Sequence, residues 1–339
     1  MSATPHPEST LAPDWKTIRE AHERIAPLIH RTPVMTSQSL DAIAGARIFF
    51  KCENLQKTGS FKIRGATNAI FSLTPAEAAR GVVTHSSGNH AAAVAYAARR
   101  RGTHAWIVMP SNAPSVKMQA VKAYGGEITF CEPLISSRAE TCARIERETG
   151  AVMVHPYDDN RIIAGQATAA KELLEDIADL DALLAPVSGG GLLSGTALGA
   201  HGMRPGLRVI GCEPQHADDA YRSLAAGQLQ PLEKSDTIAD GLRAPLAPRT
   251  FAILRQHVNK IVLVSEEEII DSMRAVWERM KIVIEPSSAV AVAPLLRVNG
   301  VASLGLPPRP DGQPHKIGVI FSGGNVDLAS LPFSRQVRV

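Results

Sequence analysis

A lysine between two apolar residues is the first feature of this sequence that could do chemistry. It lies in the segment QKTGSFKIRG (56–65), where Lys62 follows a Thr-Gly-Ser turn and is flanked by Phe61 and Ile63. A lysine near the start of a helix is usually a solvated surface residue. In an apolar, glycine-rich niche, loss of water would instead lower the pKa of its amine and free it as a nucleophile. This short segment alone leaves both interpretations open.

A glycine-rich segment, APVSGGGLLSG (185–195), could hold a phosphate. Consecutive glycines let backbone N–H groups converge on an anion, and the helix expected to follow adds positive potential. A tight turn required only for packing is the structural alternative. The segment lacks the Gly-Lys-Ser/Thr ending of a nucleoside triphosphate loop. It resembles a dinucleotide fingerprint more closely, since Gly189-x-Gly191-x-x-Ser194 lacks only the third glycine and Glu213 ends the next strand. An NAD-dependent oxidoreductase therefore remains an alternative.

Two further polar segments follow predicted strands. HSSGNH (85–90) precedes an alanine-rich helix and offers backbone and hydroxyl donors for a second anion, such as a substrate carboxylate. A plain helix N-cap would use the same residue types. FSGGNVD (321–327) places the neutral hydroxyl of Ser322 at a third strand end. Polar residues just beyond strands are those that bind ligands in open parallel sheets.

The elements that must position these residues alternate between apolar runs and amphipathic stretches. This alternation predicts parallel sheets covered by helices on both faces. The first dozen residues, rich in Pro, Ser and Thr, are expected to be loose. The predicted strands span 46–52, 81–85, 103–110, 127–132, 151–156, 182–187, 207–214, 260–264 and 315–322. The predicted helices include 62–72, 89–101, 115–124, 136–149, 162–177, 265–281 and 285–298.

Composition limits the class of protein. A chain of 339 residues, with 45% hydrophobic and 20% charged residues, is expected to form a soluble protein with two domains. The net charge of +3 shows no nucleic-acid footprint, and no apolar run is long enough to span a membrane. Four widely spaced cysteines disfavour zinc and disulfides, and the N-terminus does not resemble a signal peptide. A cytoplasmic location is therefore expected.

Together these motifs resemble those of the fold-type II pyridoxal-phosphate enzymes, in the serine/threonine dehydratase and serine racemase group. The resemblance runs from about residue 15 to 328 and rests on KCENLQKTGSFKIRGA, VVTHSSGNHA, PVSGGGLLSG, EPQHADD, TIADGL and SGGNVD in the family's order. It implies an α/β fold similar to the tryptophan synthase β chain, with two open, mostly parallel sheets and the cofactor between a large and a small domain. The implied large domain is discontinuous, 1–78 and 159–339, and the small domain is 79–158.

The resemblance also implies the cofactor, pyridoxal 5′-phosphate, and the residues that hold it. Lys62 would form the Schiff-base link, Phe61 would pack beside the ring and Asn89 would hydrogen-bond the 3-hydroxyl. Ser322 would face the pyridine nitrogen, and a hydroxyl there makes the ring a weaker electron sink than a carboxylate would. The phosphate would be held by backbone N–H groups of Gly189, Gly190, Gly191 and Leu192.

Substrate binding and proton transfer are implied in the same way. The carboxylate of an amino acid would be held by the loop formed by Ser86, Ser87, Gly88, Asn89 and His90. Lys62 would remove the Cα proton as general base. Ser87 would either act as a second acid/base on the opposite face, which permits racemisation, or only cap the helix and bind carboxylate. Arg138 would either reach an acidic substrate group or be an ordinary surface arginine.

A cation site for Mg²⁺ or Ca²⁺ is implied at Glu213, the backbone carbonyl of Ala217, and Asp219, because hard oxygen ligands suit these ions. A solvated acidic helix start is the alternative. Three departures from the family pattern bear on the substrate. Ser188 replaces the first of four glycines, Ala91-Ala92 stands where relatives commonly have a glutamine at the second position, and Ala244-Pro245 replaces a serine-containing segment.

The sequence therefore predicts a dehydratase that converts a β-hydroxy amino acid, first L-threonine or L-serine, into a 2-oxo acid and ammonia. Serine racemase or 3-hydroxyaspartate dehydratase is the alternative within the same chemistry. The expected partners are a small-molecule substrate and a second copy of the chain, without nucleic acid or membrane.

Overall fold

The structure, a computed structural model, describes residues 12–113 and 115–333. The expectation of a loose first dozen residues falls almost wholly outside these ranges. Within them the strands are β1 (Val34–Met35), β2 (Arg47–Cys52), β3 (Val82–His85), β4 (Ala105–Pro110), β5 (Glu127–Cys131), β6 (Val152–Met153), β7 (Ala182–Pro186), β8 (Arg208–Pro214), β9 (Lys260–Val264) and β10 (Lys316–Phe321).

The α-helices of the described residues connect these strands. They are α1 (Trp15–Ile25), α2 (Gln38–Ala44), α3 (Lys62–Phe71), α4 (Pro75–Ala79), α5 (Asn89–Arg101), α6 (Ser115–Ala123), α7 (Ile135–Thr149), α8 (Asn160–Asp176), α9 (Gly191–Met203), α10 (Asp219–Ala226), α11 (Pro248–His257), α12 (Glu266–Met280), α13 (Pro286–Ala289), α14 (Ala293–Leu296) and α15 (Gly300–Ser303). Among these residues, no helix combines the length and apolar character that crossing a membrane requires.

Two separate sheets form the α/β framework, as the sequence predicts. The larger has the order β1-β2-β10-β7-β8-β9 and is parallel except for the short antiparallel pair of β1 and β2. The smaller has the order β5-β4-β3-β6 and is wholly parallel. The strands of the smaller sheet are consecutive in sequence, whereas those of the larger sheet lie on both sides of them. We call the two parts the large and the small domain, with the residue boundaries above kept as predictions.

Alternation along β2 shows why these strands are buried on both faces. Ile48, Phe50 and Cys52 belong to the core on one face of the large sheet, while Phe49 belongs to the core on the other. Successive strand side chains point to opposite faces, so a strand covered by helices on both sides must be apolar at nearly every position. This explains why continuous apolar runs located the strands in the sequence.

The predicted helix 285–298 is wrong as a single element. Two one-turn helices, α13 and α14, occupy this stretch and are joined by turns. Pro294 lies in the first turn of α14 and has no backbone N–H to extend α13 through this point. The start of α13 matters for the site, because Glu285 precedes Pro286 and therefore lies in extended backbone, outside the helix.

The helix that begins at Lys62 is held by a close helix crossing. A Cβ atom placed on Gly165 of α8 would lie 2.6 Å from the Cα of Gly65 in α3. Only glycine on each side permits this approach, since real Cβ atoms do not make such contacts. The orientation of α3 is therefore fixed by backbone packing three residues after Lys62.

A buried charge cluster fixes the same helix. Arg64 is fully buried and donates to Glu53 (Nε to Oε2, 2.6 Å) and to Glu172 (Nη2 to Oε2, 2.8 Å). Lys51, also fully buried, donates to the same Glu172 oxygen at 2.7 Å. Burial by itself raises the pKa of Glu172, but the hydrogen bonds and charge of Arg64, together with Lys51, bring it down to about 2. The cluster therefore joins β2, α3 and α8 through ionised groups that satisfy one another.

Replacing Arg64 by leucine should destabilise the protein severely. Removing one partner from a buried ion cluster leaves uncompensated charge and typically costs about 3–5 kcal/mol. Chemical denaturation of wild type and variant measures the loss. Arg144→Gln is the matched control, because Arg144 makes an exposed i,i+4 pair with Glu148 that is expected to contribute about 0.3–0.5 kcal/mol. A loss below about 1 kcal/mol for Arg64→Leu would contradict the assigned role of the cluster.

Candidate active site

The amine of Lys62 lies where the two domains meet. Lys62 is the first residue of α3, and the preceding N–H, that of Phe61, donates to the carbonyl of Ser322 at 2.9 Å. The side chain extends beside the Phe61 ring, with Nζ 5.1 Å from the ring centroid, and donates to the carbonyl of Pro156 at 2.9 Å. Pro156 follows β6 of the small sheet. The lysine therefore bridges the cleft instead of facing solvent as an ordinary surface residue.

This environment changes the acidity of the amine. Burial lowers the pKa of Lys62 to about 8, and the negative charge of Glu285 opposes the change. The carbonyl of Pro156 accepts a hydrogen bond but brings no full charge to hold the proton. At neutral pH most of the Lys62 amine is still protonated, but its free-amine fraction is far larger than that of an ordinary lysine, and the free amine is the form that attacks an aldehyde or accepts a proton.

The glycine loop after β7 has the geometry of an anion cradle. Gly190 precedes α9 with φ +87°, and no side chain caps the helix. A Cβ on Gly189 would lie 2.5 Å from the ring of Tyr157, and one on Gly190 would lie 2.6 Å from Cβ of Thr250. Side chains are excluded at both positions, so the first N–H groups of α9 remain the groups that can meet a ligand.

Ser188 and Ala244, at two of the positions where the sequence departs from the family pattern, contact each other. The Ser188 hydroxyl donates to the carbonyl of Ala244 at 3.0 Å and accepts from its N–H at 2.9 Å. The N–H of Leu246, two residues on, donates to Asp219 at 2.8 Å. Ser188 thus uses its side chain to hold the segment that contains Ala244-Pro245, an interaction that a glycine could not make.

The loop after β3 leaves room for a small ligand. The N–H of Gly88 donates to the Ser86 hydroxyl at 3.2 Å, and Ser87 is half-buried. A Cβ on Gly88 would meet only the ammonium of Lys117, at 3.9 Å. Asn89 then begins α5. Hydroxyl and N–H donors therefore border an open space of the kind a carboxylate needs.

Neutral imidazoles surround this loop. His90 is buried beside the Val154 carbonyl (Nε2 to O, 3.0 Å), and burial, with the charge of Lys62, holds its pKa well below the usual range. His155 accepts from the backbone N–H of Asp158 through Nδ1 at 2.8 Å, which leaves its proton on Nε2. Burial and the neighbouring His85 lower the pKa of His155 to about 4. The His85 and His155 rings meet edge to face, 5.6 Å apart.

Arg138 approaches the same corner. Burial lowers the pKa of His85, and the positive charge of Arg138 lowers it further, which places the guanidinium near the start of the loop. Its Nε atom is buried and has no hydrogen-bond partner among the described residues. Within the same part of the chain, Arg138 makes no ion pair with an acidic side chain. The arginine therefore has free hydrogen-bonding capacity for an anion.

Ser322 lies against a second hydroxyl at the end of β10. It is buried, with its Oγ 3.1 Å from Oγ of Ser288, and Ser288 donates to the carbonyl of Gly323 at 2.7 Å. Because Phe61 donates to the Ser322 carbonyl, this strand end lies directly beside the start of α3.

Sequence reasoning missed several residues of the cleft. Glu285 is buried and accepts from the Asn89 side chain (Nδ2 to Oε1, 3.0 Å), and Asn325 donates to Oδ1 of Asn89 at 2.9 Å. Tyr157 covers the glycine loop. An acid between Ile284 and Pro286, in an otherwise apolar stretch, was the available signal for Glu285. Tyr157 had none, because it reaches the loop only through the packing of the two domains.

The carboxylates of the expected cation site provide the oxygen ligands that Mg²⁺ and Ca²⁺ prefer, but in this structure they accept hydrogen bonds from backbone N–H groups. Glu213 accepts from the N–H groups of Ala220 and Tyr221, which start α10, while Asp219 accepts from Leu246. Burial raises the pKa of Asp219 to about 6 and that of Glu213 well above its usual value. Ala217 is buried beside them. In the described ranges, no group of three or more His, Cys, Asp or Glu side chains could hold a metal.

The residues of the cleft fit pyridoxal phosphate. The fit rests on a buried lysine amine of lowered pKa, a glycine loop in which side chains are excluded, and an uncapped helix start that suits a phosphate. The buried Ser322 hydroxyl and the Asn89 amide lie close to this lysine through Phe61 and Glu285. The loop does not end in the Gly-Lys-Ser/Thr pattern of triphosphate sites.

Comparisons with known proteins agree with this geometry. Residues 25–311 match the model of the family described as pyridoxal-phosphate dependent enzyme. The chain is 50% identical to a β-hydroxyaspartate dehydratase of Paracoccus denitrificans, over 95% of this chain and 99% of that protein. It is 50% identical to a serine racemase of Arabidopsis thaliana, over 94% and 95%.

Solved structures give the same picture. Maize serine racemase superposes with a TM-score of 0.89 at 47% identity, covering 94% of this chain and 95% of that one. The threonine deaminase of T.th. superposes with a TM-score of 0.86 at 41% identity, covering 94% and 100%. With a matched family model over most of its length, the chain belongs to the pyridoxal-phosphate dependent enzymes, in the fold-type II group of dehydratases and racemases.

Proposed function

We propose that this enzyme dehydrates β-hydroxy amino acids to 2-oxo acids and ammonia. The observation that carries the proposal is the position of Lys62: its amine, with a pKa of about 8, lies in a cleft bordered by the glycine loop and by the open loop after β3. Elimination of water from such a substrate needs a base at Cα and a place for the carboxylate. Both are supplied by the residues of this cleft.

Each element of the cofactor site has a role in this proposal. Lys62 would hold pyridoxal phosphate covalently, Phe61 would lie beside its ring and Asn89 would donate to its 3-oxygen. Gly189 to Leu192 would bind the phosphate with backbone N–H groups. When bound, the cofactor supplies an electron sink for the pair released at Cα. Ser322 would face the ring nitrogen, and its hydroxyl would limit that sink because it does not enforce protonation of the nitrogen as a carboxylate does, which would favour β-elimination over transamination.

The chain's own groups move the protons. The carboxylate of the substrate would bind to Ser86–His90, where N–H and hydroxyl donors meet beside neutral imidazoles. Lys62, as a free amine, would take the Cα proton, and its lowered pKa keeps it competent near neutrality. Tyr157, which packs against the glycine loop, would restrict access of water to this region. Departure of the β-hydroxyl and hydrolysis of the resulting enamine give the 2-oxo acid and ammonia.

Arg138 favours one substrate within this class. L-Serine, L-threonine and 3-hydroxyaspartate share the reacting groups, but only the last carries a second carboxylate. An arginine with a buried, unpartnered Nε beside the carboxylate loop is suited to bind that group. The similarity to a β-hydroxyaspartate dehydratase gives independent support. We therefore propose 3-hydroxyaspartate as the preferred substrate.

Serine racemisation is the second candidate activity. It is supported by the serine at position 87, half-buried in the carboxylate loop, and by the similarity to serine racemases. A proton donor on the face of Cα opposite Lys62 would return the proton with inversion. If Ser87 has this role, Ser87→Ala loses racemisation and keeps dehydration.

A cation site at Glu213, Ala217 and Asp219 also remains a proposal. Two buried carboxylates beside a carbonyl suit Mg²⁺ or Ca²⁺, and a cation would offset the repulsion between them. Association into a homodimer and a cytoplasmic location are proposed on the resemblance and the composition. Leu55 and Val283 are exposed apolar residues, and the side chain of Asn54, next to Leu55, donates to the Val283 carbonyl, so this part of the surface would suit a second copy.

Lys62 should bind the cofactor covalently and titrate near pH 8. Protein incubated with pyridoxal phosphate should gain visible absorbance that borohydride abolishes. Mass spectrometry should then find the reduced adduct on Lys62. The Lys62→Ala variant should show neither the absorbance nor the adduct. In cofactor-free protein, labelling of Lys62 by an amine reagent should rise with pH to half its maximum near pH 8, because raising the pH frees the amine. The exposed Lys16 supplies the reference. A colourless protein that binds NAD would contradict the proposal.

Arg138→Met should separate the substrates. Losing hydrogen bonds to a charged carboxylate should reduce kcat/KM for 3-hydroxyaspartate about 10- to 100-fold and leave that for L-serine nearly unchanged. Oxo acid and D-amino acid are assayed separately for L-serine, L-threonine and both 3-hydroxyaspartate diastereomers. Arg144→Met, on the exposed face of the same helix, is the control. An equal loss for all substrates would mean that Arg138 stabilises the loop and does not select the substrate.

Removal of divalent cations should lower the melting temperature. EDTA-treated protein should regain stability when Ca²⁺ or Mg²⁺ is added, because only the folded state gathers the ligands. Asp219→Asn should abolish this response. If EDTA and Ca²⁺ leave both activity and melting temperature unchanged, the cation site is absent.

A further inference from the structure

The buried carboxylate of Glu285 is an ionisable group at the site to which the proposed reaction assigns no role. It is 3% exposed and lies in the extended segment before α13. Its hydrogen-bond donors are the Asn89 side chain and the backbone N–H of Asn325 (N to Oε2, 3.2 Å). No arginine or lysine donates to it directly among the described residues. A buried carboxylate held only by amides is costly, which argues for a role beyond packing.

The orientation of the Asn89 amide follows from a chain of hydrogen bonds. The Asn325 side chain donates to the carbonyl of Thr58 at 2.8 Å, which fixes its NH₂ group, because a carbonyl only accepts. The same NH₂ lies 2.9 Å from one end of the Asn89 amide, so that end must be the oxygen. The other end, Nδ2, then faces both oxygens of Glu285 at 3.0 and 3.1 Å.

This arrangement leaves one N–H of Asn89 for a ligand. The amide oxygen is taken by Asn325, and one N–H is taken by Glu285. The second N–H has a fixed direction, and it becomes a better donor when Glu285 is ionised, since a charged acceptor polarises the amide. In the proposed function, this N–H meets the 3-oxygen of the cofactor.

The surroundings make space for this carboxylate. A Cβ on Gly323 would lie 2.8 Å from Oε1 of Glu285, which explains why the SGGN segment needs glycine there. The charged groups that face Glu285 are Lys62, Lys117 and Asp240. The pKa of Glu285 is raised to about 7, first by burial and also by the charge of Asp240, although the donated hydrogen bonds and Lys117 oppose the rise.

We propose that Glu285 is a positioning residue that acts through Asn89: it holds the amide of this small-domain residue from the large domain and directs one N–H at the 3-oxygen of pyridoxal phosphate. The inference rests on the cofactor placement in the proposed function. It adds a residue that no resemblance assigned and explains the pairing of Asn89 with Asn325.

A double-mutant cycle on cofactor affinity tests this role. Cofactor-free wild type, Glu285→Gln, Asn89→Ala and the double variant are titrated with pyridoxal phosphate, and the visible circular dichroism of each complex reports how the ring is held. Glutamine removes the negative charge, and when its oxygen takes the place of Oε2, which accepts from both Asn89 and Asn325, its NH₂ group takes the place of Oε1 and faces the Asn89 amide nitrogen 3.0 Å away, donor against donor. We expect Glu285→Gln to raise the Kd about tenfold or more and to change the dichroism. In the Asn89→Ala background the same substitution should change the Kd less than about twofold.

Asp240→Asn is the matched control for charge. It removes a carboxylate that faces Glu285 without contacting Asn89, so the Kd should stay within about twofold of wild type. A loss equal to that of Glu285→Gln would mean that charge, and not the hydrogen bond, carries the effect. Full additivity of Glu285→Gln and Asn89→Ala, or an unchanged Kd for Glu285→Gln, would also overturn the inference.

Two further outcomes separate this inference from the proposed function. If wild type binds no pyridoxal phosphate, the proposed function fails and the inference with it. If wild type binds and Glu285→Gln binds equally well, only the inference fails. If thermal melting shows that Glu285→Gln does not fold, Asn325→Ala is used instead, because Asn325 holds the oxygen end of the same Asn89 amide. Its smaller loss of affinity must likewise disappear in the Asn89→Ala background.

Discussion

The buried ion cluster around Arg64 is the interaction on which the site depends. It joins β2, α3 and α8 at a place where water is excluded and every charge has a partner. Because α3 begins at Lys62, two residues earlier, any tilt of this helix would move the reactive amine. The glycine crossing of α3 and α8 acts in the same direction by removing the space for a tilt. An apolar core could hold the helices, but a charge network also fixes their register.

From this fixed helix the cleft is completed by contacts across the two domains. Lys62 donates to Pro156, Asn89 donates to Glu285, and Tyr157 lies on the glycine loop. Burial at this junction shifts several groups in a consistent way. It lowers the pKa of the Lys62 amine to about 8 and that of the His155 ring to about 4, and it leaves the Arg138 Nε without a hydrogen-bond partner among the described residues. The cleft thus combines a lysine of lowered pKa, a neutral imidazole and an unpartnered guanidinium nitrogen.

The elements of the fold were largely predictable because their signals are local. Apolar runs located the strands, since strands covered on both faces cannot be polar. Pro294 is the local signal that divides the predicted helix 285–298. The residues proposed to hold the cofactor were implied by a resemblance of motifs, whereas Glu285 and Tyr157 were not. Their partners, Asn89 and the glycine loop, are distant in sequence, so no spacing rule could connect them. In the sequence, Ser188 and Ala244 are two separate departures from the family pattern, and only the hydrogen bonds between them show that they belong to one contact.

The sequence by itself determined the alternation of strands and helices, the place of Lys62 after a Thr-Gly-Ser turn, and the loops at the strand ends, because each depends on residue types within a few positions. It left open whether Lys62 was buried, whether Arg138 met an acid, and how the Asn89 amide was turned. Tertiary structure decided these questions. The pKa of Lys62, the unpartnered Nε of Arg138 and the orientation of the Asn89 amide all depend on tertiary contacts. They are set by the groups that the fold brings within hydrogen-bond distance and by the amount of water that it removes. Residues adjacent in the chain encode neither of these two factors.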